Sequence, residues 1–570
     1  MQELKWWQNA VVYQIYPRSF QDSDGDGIGD IRGVINRLPY LVDLGIDAIW
    51  FSPIFKSPNV DNGYDISDYQ DIMDEFGTMA DFDELMAKCN EHGIKIILDL
   101  VVNHSSDQHA WFLEAKQNPQ SEVGQYYHWH EGFRDEDGKA IGEPNRWGSV
   151  FGGSTWEYVE DVDMYYLHSF AIEQPDLNWE NPELREEVYK MMRWWCDKGV
   201  AGFRMDVINL INKPEPIPME EADGTYEGLM FGNAPGVHDY LQEMNREVMS
   251  HYDLLTVGET GGVRPEDAYK YSNLEDTELS MIFQFEHVDD LDKDGPHGRY
   301  YPYELHLPVL KDIFTRWQEG LYGKAWNSLF WCNHDQPRVV TRWGSKDEKW
   351  REKSAKMLAH VLHFQQGTPY IYQGEELGMT NMPFESPAEL RDIAAINWIE
   401  EAVRTGEADE QTVFDQLMRT GRDHARTPMQ WDDSVNAGFS SADETWIGVN
   451  PNYTHINAAE QVKRKDSVYS YYKELIRLRH EKPLITHGRY ELFDLEDENT
   501  FSYARETETE ALYVSANFGA EEQVVNVPAK YVGLAGEVWL STEEDFYQLS
   551  RLEETLVLPP YATIAFAMEQ

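Results

Sequence analysis

Cysteine is scarce in this chain of 570 residues, which contains only Cys89, Cys196 and Cys332. The three lie far apart and form no Cys-x-x-Cys pair, so the sequence indicates neither a disulfide framework nor a cysteine zinc site. Long apolar runs are also missing, since no segment approaches the ~18–20 apolar residues of a membrane span. The N-terminal residues do not have the pattern of a signal peptide. We therefore expect a cytoplasmic protein that has no membrane partner.

Basic residues are few, with 48 Lys and Arg against 102 Asp and Glu and a formal net charge of -54. Nucleic acids and anionic membranes carry charge of the same sign, which argues against both as partners. The hydrophobic content of 41% is ordinary for a globular protein. A chain of this length can form several domains, and we expect it to act as a monomer.

Eight short segments are continuously apolar and rich in β-branched or aromatic residues, as buried strands are. They are residues 10–17, 46–53, 94–104, 200–207, 253–260, 279–287, 326–335 and 369–376. Helical stretches lie between several of them, for example 181–199, where Asn181 is placed as an N-cap and Pro182 in the first turn. This alternation predicts an α/β fold, the (β/α)8 TIM barrel.

The chain is longer than the ~250 residues that a bare barrel needs. Residues 105–177 are rich in Trp, Tyr, Gly and Asp and lack a helical period, which predicts a loop-rich subdomain inserted after the third strand. Residues 490–570 alternate like antiparallel strands between turn residues and predict a C-terminal β-sandwich-like domain. The barrel itself is therefore assigned to residues 1–104 and 178–489.

Three carboxylates fall at the ends of predicted strands, where barrel enzymes place their active sites. They are Asp206, Glu259 and Asp335. Any one of them alone reads as an ordinary loop residue, but three together are costly to bury unless function retains them. Arg204 lies two residues before Asp206, so both point the same way and Arg204 can favour the ionised form of Asp206. Glu259 on the neighbouring strand can face Asp206 at the ~5–5.5 Å that a retaining glycosidase requires.

Several motifs, in order along essentially the whole chain, resemble the α-amylase family of glycoside hydrolases. Its four signature regions are matched by DLVVNH (99–104), GFRMDV (202–207), VGET (257–260) and FWCNHD (330–335). The oligo-1,6-glucosidase and dextran glucosidase branch is matched by NGYDI (62–66), QPDLNW (174–179), GEELGMTN (374–381) and ARTPMQW (425–431). The resemblance implies a retaining, exo-acting α-glucosidase that hydrolyses terminal α-1,6 bonds of short isomalto-oligosaccharides.

The resemblance also assigns roles to residues. Asp206 would be the nucleophile, Glu259 the acid/base, and Asp335 the third carboxylate, which binds sugar hydroxyls and stabilises the transition state. The substrate-binding residues that it implies are Asp61, Tyr64, His104, Arg204, Val207, His334 and Arg422. Of these, Tyr64 would stack on the sugar, His104 would bind near its 6-hydroxyl, and Asp61 and Arg422 would close the pocket at the 4-hydroxyl. Arg422 is preferred to the nearby Arg426 for that position.

The linkage preference depends on Val207. A valine directly after the nucleophile resembles the α-1,6-specific branch, whereas alanine, glycine or threonine accompanies α-1,4 cleavage. Taken alone, Val207 is an ordinary strand residue. Dextran glucosidase has a tryptophan where this chain has Gly261 and a glutamate where it has Ala394, and both differences favour short substrates.

The sequence can be compared with the patterns of three other functions. An α-1,4-glucosidase or a transglycosylating α-glucosidase remains the alternative. A sucrose isomerase would carry an arginine-rich stretch after the sixth strand, where this chain has EHVDDLDKDG (286–295). A non-catalytic barrel scaffold is disfavoured because the chain keeps all three carboxylates and has no membrane helix.

An acidic turn, DSDGDGIGD (22–30), has acidic residues at alternate positions, as at the start of an EF-hand loop. The bidentate glutamate of a true EF-hand is missing, and a solvated acidic turn is the simpler reading. The resemblance implies a structural Ca²⁺ here. Its ligands would be the carboxylates of Asp22, Asp24, Asp26 and Asp30 and the carbonyl of Ile28.

Overall fold

The computed structural model describes residues 4–221, 226–229, 231–290, 305–345 and 347–570. Within them, eight parallel strands are hydrogen-bonded in the order β6-β5-β4-β3-β2-β1-β8-β7. A parallel bridge between Ile282 and Asn327 joins the two outer strands, which closes the sheet into a barrel. The strands are β1 Val12–Ile15, β2 Ala48–Phe51, β3 Lys95–Leu100, β4 Gly202–Met205, β5 Leu255–Glu259, β6 Met281–Phe283, β7 Ser328–Leu329 and β8 Thr368–Tyr372. Seven of them lie inside predicted segments and β8 begins one residue before its segment, so the predicted barrel is confirmed.

Helices follow the strands and pack outside the barrel. They are α1 Ile31–Leu44, α2 Met79–Glu91, α3 Pro182–Asp197, α4 Val237–Glu247, α5 Pro265–Tyr271, α6 Leu307–Leu321, α7 Glu348–His363, α8 Ile393–Thr405, α9 Glu410–Thr420 and α10 Val468–Glu481. Helix α3 begins as predicted, since the Asn181 side chain accepts hydrogen bonds from the amides of Glu183 and Leu184. No helix in the described residues is long and apolar enough to cross a membrane.

Two further regions flank the barrel. Residues 105–177 contain a helix, Ala110–Ala115, and a three-stranded antiparallel sheet. The strands of that sheet are Trp129–His130, Met164–Leu167 and Trp156–Val159. The C-terminal region forms a five-stranded antiparallel sheet in the order β9-β10-β11-β13-β12. Its strands are β9 Arg489–Phe493, β10 Thr500–Glu506, β11 Glu510–Asn517, β12 Gly536–Ser541 and β13 Thr563–Glu569.

A second insertion lies between β8 and α10 and was not anticipated from the sequence. Its helices α8 and α9 pack against each other around their own apolar cluster, which includes Ile399, Val413 and Phe414. The apolar residues of α8 recur at helical spacing, but nothing in that pattern shows where the pair docks. The structure places it beside the carboxyl ends of the barrel strands, where it contributes to the site.

Candidate active site

A cavity of about 420 Å³ opens at the carboxyl ends of the barrel strands. Of the sugar-site residues predicted from the sequence, eight line this cavity. They are Asp61, Tyr64, His104, Asp206, Val207, Glu259, Asp335 and Arg422. The other two, Arg204 and His334, are buried directly behind it and contact its carboxylates.

The guanidinium of Arg204 joins the two carboxylates that the sequence paired. Its Nη1 donates to Asp206 Oδ1 at 2.6 Å, and its Nη2 donates to Glu259 Oε2. Nη1 also donates to both oxygens of Asp99, at 2.9 and 3.2 Å. Because both ends of one guanidinium hold the pair, their separation fits the ~5–5.5 Å of retaining glycosidases better than the ~6.5–9.5 Å of inverting ones.

Burial has the largest effect on the pKa values of Asp206 and Glu259. It raises the pKa of Asp206 to about 7, against the attraction of Arg204 and a hydrogen bond with Glu259. Burial likewise raises the pKa of Glu259 to about 7, and the charges of Asp206 and Asp335 raise it further. The pKa of Asp206 is therefore raised, whereas the charge of Arg204 alone would lower it. Because each of the two carboxylates affects the pKa of the other, the protonation of one depends on the charge of its partner.

Asp335 is held by one histidine and two guanidinium groups. His334 Nε2 lies 3.1 Å from its Oδ2, while Arg422 and Arg426 lie 3.2 and 2.8 Å from its Oδ1. Although burial opposes ionisation, these neighbours hold the pKa of Asp335 well below its usual range. Asp335 is therefore ionised under all conditions in which the pair titrates.

The sequence favoured Arg422 over Arg426 as the arginine that closes the pocket with Asp61. The two residues occupy different places in the structure. Arg422 lines the cavity, and its Nη2 lies 3.7 Å from Asp61. Arg426 is buried behind the cavity wall, where it also donates to the carbonyl of His334. Asp392, the N-cap of α8, holds Arg422 through hydrogen bonds of 2.9 and 2.5 Å.

The far end of the cavity is closed by Asp61 and its neighbours. Gln174 donates to Asp61 Oδ2 at 3.1 Å, while Oδ1 accepts no hydrogen bond from the described residues. Burial raises the pKa of Asp61 to about 7, although Arg422 opposes the shift. Gln174 therefore holds one oxygen of Asp61, and Arg422 Nη2 lies 3.7 Å from the other.

Tyr64 and His104, which line the cavity, make more contacts with other residues of the protein than the sequence suggests. The ring of Tyr64 stacks on His334, with centroids 5.1 Å apart and planes 6° apart, and its hydroxyl donates to Asp99. His104 lies within hydrogen-bond distance of the Asn103 amide through Nδ1 and of the Tyr64 carbonyl through Nε2. Burial lowers the pKa of His104 to about 4, so the ring is neutral.

Val207 is not a strand residue, which corrects the simple reading of its sequence position. Strand β4 ends at Met205, and Val207 has φ of 35° and ψ of 40°. This left-handed conformation is strained for a β-branched side chain. It turns the Val207 amide toward Glu259 Oε2, at 3.2 Å, while the residue lines the cavity.

Sequence reasoning missed three polar residues that position this site. Asp99 anchors Arg204, Asp392 holds Arg422, and Gln174 holds Asp61. Asp99 and Gln174 begin motifs noted above, so their positions carried a signal. No sequence signal pointed to Asp392, because its role depends on the docking of α8.

The acidic turn at residues 22–30 forms a separate cluster. Carboxylate oxygens of Asp22, Asp24 and Asp30 lie within 4.8 Å of one another. Asp26 is outside that group, and its Oδ1 accepts a hydrogen bond from the Ile28 amide. Asp30 also caps α1, since it accepts from the Gly33 amide.

A (β/α)8 barrel with a carboxylate pair in a cavity at the carboxyl ends of its strands defines this protein as a glycoside hydrolase of the barrel class. The catalytic-domain model of the α-amylase family matches residues 14–488. The chain belongs to the α-amylase family.

Relatives within that family are close over nearly the full chain. An oligo-1,6-glucosidase from Bacillus cereus is 51% identical over 92% of this chain and 93% of its own. A glucan 1,6-alpha-glucosidase from Streptococcus dysgalactiae subsp. equisimilis is 48% identical over 98% of each chain. The crystal structure of a trehalose-6-phosphate hydrolase from Bacillus licheniformis matches with a TM-score of 0.91 and 43% identity, and all of both chains is covered.

Proposed function

We propose that this protein is an exo-acting α-glucosidase that removes terminal α-1,6-linked glucose from short isomalto-oligosaccharides with retention of configuration. The observation that carries the proposal is the carboxylate pair on one guanidinium, inside a cavity closed at its far end by Asp61 and Arg422. A closed end admits one terminal sugar, which suits exo-action. The names of the B. cereus and Streptococcus relatives support the α-1,6 linkage.

The geometry suits a double displacement. Asp206 attacks the anomeric carbon while Glu259 donates its proton to the glycosidic oxygen, and the shortened sugar leaves. Glu259 then takes a proton from water, which attacks the glucosyl–Asp206 ester and releases α-glucose. Arg204 contacts both carboxylates throughout, and ionised Asp335 stabilises the positive charge that develops on the sugar ring.

A single comparison tests the activity. Initial rates are measured side by side on isomaltose, maltose, panose, sucrose and a long dextran. We expect isomaltose and panose to be cleaved with the highest kcat/KM. A preference for maltose would instead support the α-1,4-glucosidase alternative, and accumulation of longer sugars would support transglycosylation.

Val207→Ala is expected to raise maltose hydrolysis while isomaltose hydrolysis is largely retained. An α-1,6-linked leaving sugar has an extra rotatable bond and can swing clear of the Val207 methyl groups, whereas an α-1,4-linked sugar cannot. A change of hydrophobic size of this kind alters relative specificity by about ten- to two-hundred-fold at most. The measurement is kcat/KM for isomaltose divided by that for maltose.

The matched control is Val263→Ala, which removes the same two methyl groups from a buried valine outside the cavity. It is expected to leave the ratio unchanged. A ratio that does not fall in Val207→Ala contradicts the steric explanation. Alanine also relieves part of the strain at φ of 35°, so lower thermal stability of this variant is not expected.

We further propose that the acidic turn binds a structural Ca²⁺. Three carboxylates within 4.8 Å repel one another, and their oxygens are the ligands that this hard cation prefers. Asp22, Asp24 and Asp30 would hold the ion, with Asp26 and the Ile28 carbonyl as the further ligands that the family resemblance implies. The turn lies against residues 438–445, so a bound ion would brace two loops.

Added Ca²⁺ is expected to raise the melting temperature by mass action, and a chelator to lower it. Asp24→Asn should reduce the calcium response, whereas Asp74→Asn, an exposed aspartate elsewhere, should not. An unchanged melting temperature with chelator, together with no calcium found by metal analysis of the purified protein, would contradict this proposal.

A further inference from the structure

Two arginines at the junction of the barrel and the C-terminal sheet are fully buried. Arg479 lies on α10 and Arg505 on β10, and neither side chain is exposed to solvent. Among the described residues, neither guanidinium forms an ion pair with a carboxylate, whereas the buried Arg204, Arg351 and Arg426 all do. A buried charge that lacks a partner of opposite sign is costly. The two arginines therefore form a local excess of buried positive charge in a chain whose net charge is -54.

Both guanidinium groups carry their charge at neutral pH. Burial and the charge of Arg505 lower the pKa of Arg479 to about 9, although the charge of Asp47 opposes the shift. Burial lowers the pKa of Arg505 to about 10. Asp47 is already engaged, since its Oδ2 lies 2.9 Å from His480 Nε2 and accepts a hydrogen bond from the Val11 amide. The two arginines are therefore close enough to repel each other, and no carboxylate in contact with them offsets that repulsion.

Several nitrogen atoms of this cluster have no hydrogen-bond partner in the part of the chain that the structure describes. They are Nε and Nη2 of Arg479, Nε of Arg505, and both ring nitrogens of His363 at the end of α7. Burial, with a contribution from the charge of Arg479, lowers the pKa of His363 to about 3, so its ring is neutral and has one N–H to donate. Buried donors are nearly always satisfied in folded proteins, which indicates a bound acceptor.

The remaining N–H groups of the two guanidiniums are held from both sides of the junction. Nη1 of Arg479 donates to the His363 carbonyl at 3.1 Å. Nη1 of Arg505 donates to Gln318 Oε1 at 3.0 Å, and Gln318 on α6 donates to the Gln366 carbonyl at 2.8 Å. These contacts fix the unpartnered N–H groups before any ligand binds, which reduces the entropy lost on binding.

The acceptor that fits this cluster is an anion. Water can bridge the N–H groups to Oε1 of Gln365 and of Gln366, which are also unpartnered among the described residues. Water is neutral, however, and leaves two like charges buried together. A monovalent anion accepts from the same N–H groups in charge-assisted hydrogen bonds and offsets their charge.

We propose that one chloride ion binds between Arg479 and Arg505, accepts hydrogen bonds from their unpartnered N–H groups and from His363, and links the barrel to the C-terminal sheet. A small ion suits the site because these three side chains are at most 2% exposed. Residues 363–366 precede β8, so the site lies at the amino end of a barrel strand, opposite the carboxyl ends that form the catalytic cavity. The ion therefore stabilises the fold, and the proposal is independent of the glucosidase function.

The experiment replaces sodium gluconate with sodium chloride at constant sodium concentration, so that screening of the acidic surface does not change. The melting temperature of the full-length protein is expected to rise by about 1 °C for each tenfold increase in chloride above its dissociation constant. Arg479→Gln should abolish this response. The matched control is Arg351→Gln, which removes a buried guanidinium that has a carboxylate partner, and it should keep the response.

Crystals of the wild-type protein grown in sodium bromide locate the ion directly. An anomalous scattering peak between Arg479 and Arg505 is the expected result. Water at that position and no bromide peak overturn the proposal, and this measurement decides if Arg479→Gln fails to fold. A peak in wild-type crystals without any chloride response in solution, or with a response that is unchanged in Arg479→Gln, also overturns it, since that result shows an adventitious ion only.

Discussion

Asp206→Asn is expected to reduce kcat/KM for isomaltose by about 10⁴-fold or more while the protein stays folded. The amide keeps the volume of the carboxylate but cannot form the glucosyl ester. The surroundings should change little, because Arg204 retains its hydrogen bonds to Asp99 and its contact with Glu259. The measurements are steady-state rates and the melting temperature.

The control for expression and deamidation is Asp239→Asn, an exposed residue on α4. It should have wild-type rates. Retention of a tenth of wild-type activity in Asp206→Asn, with deamidation excluded by mass spectrometry, would show that Asp206 is not the nucleophile.

Glu259→Gln is expected to lower kcat/KM for isomaltose by about 10²–10⁴-fold, since proton donation to the leaving sugar is lost. Aryl α-glucosides with good leaving groups need little proton assistance, so their glycosylation step should be slowed much less. Equal loss of that step for both kinds of substrate would exclude Glu259 as the acid. The first product of the wild-type enzyme, observed by NMR, should be the α anomer.

The pH dependence of activity is a second test of the role of Glu259. Burial raises the pKa of Glu259 to about 7. Activity should therefore fall above neutral pH as Glu259 loses its proton, and fall at acid pH as Asp206 gains one. Glu259→Gln cannot lose that proton, so its profile should keep the acid limb and lose the alkaline one. An alkaline limb that persists unchanged in the variant would assign it to another group.

Local pattern is enough to predict much of this architecture. Buried parallel strands are continuously apolar, so each of the eight segments is visible without knowledge of its neighbours. Because side chains alternate along a strand, the spacing of Arg204 and Asp206 predicts that they face the same side, and the structure shows them 2.6 Å apart. The barrel then requires that residues at strand ends converge, which explains why Asp206 and Glu259 line one cavity. Asp61, Tyr64 and Arg422 lie on loops, and the family resemblance predicted them.

The docking of the helical pair α8–α9 cannot be predicted from local sequence pattern. Its own sequence predicts helices, but its docking buries Asp392 against Arg422, which lines the catalytic cavity. Docking depends on surfaces that are distant in sequence, and no local pattern encodes which of them meet.

The barrel and the strand ends that carry the carboxylates follow from local sequence patterns, and the ordered motifs indicate the α-amylase family. How the carboxylates behave depends on the packing of the whole fold. The tertiary structure showed one guanidinium holding both Asp206 and Glu259, and Val207 in a left-handed turn instead of a strand. It also reversed the expected pKa shift of Asp206, because burial is a property of the whole fold, whereas the spacing of Arg204 and Asp206 is a property of the local sequence.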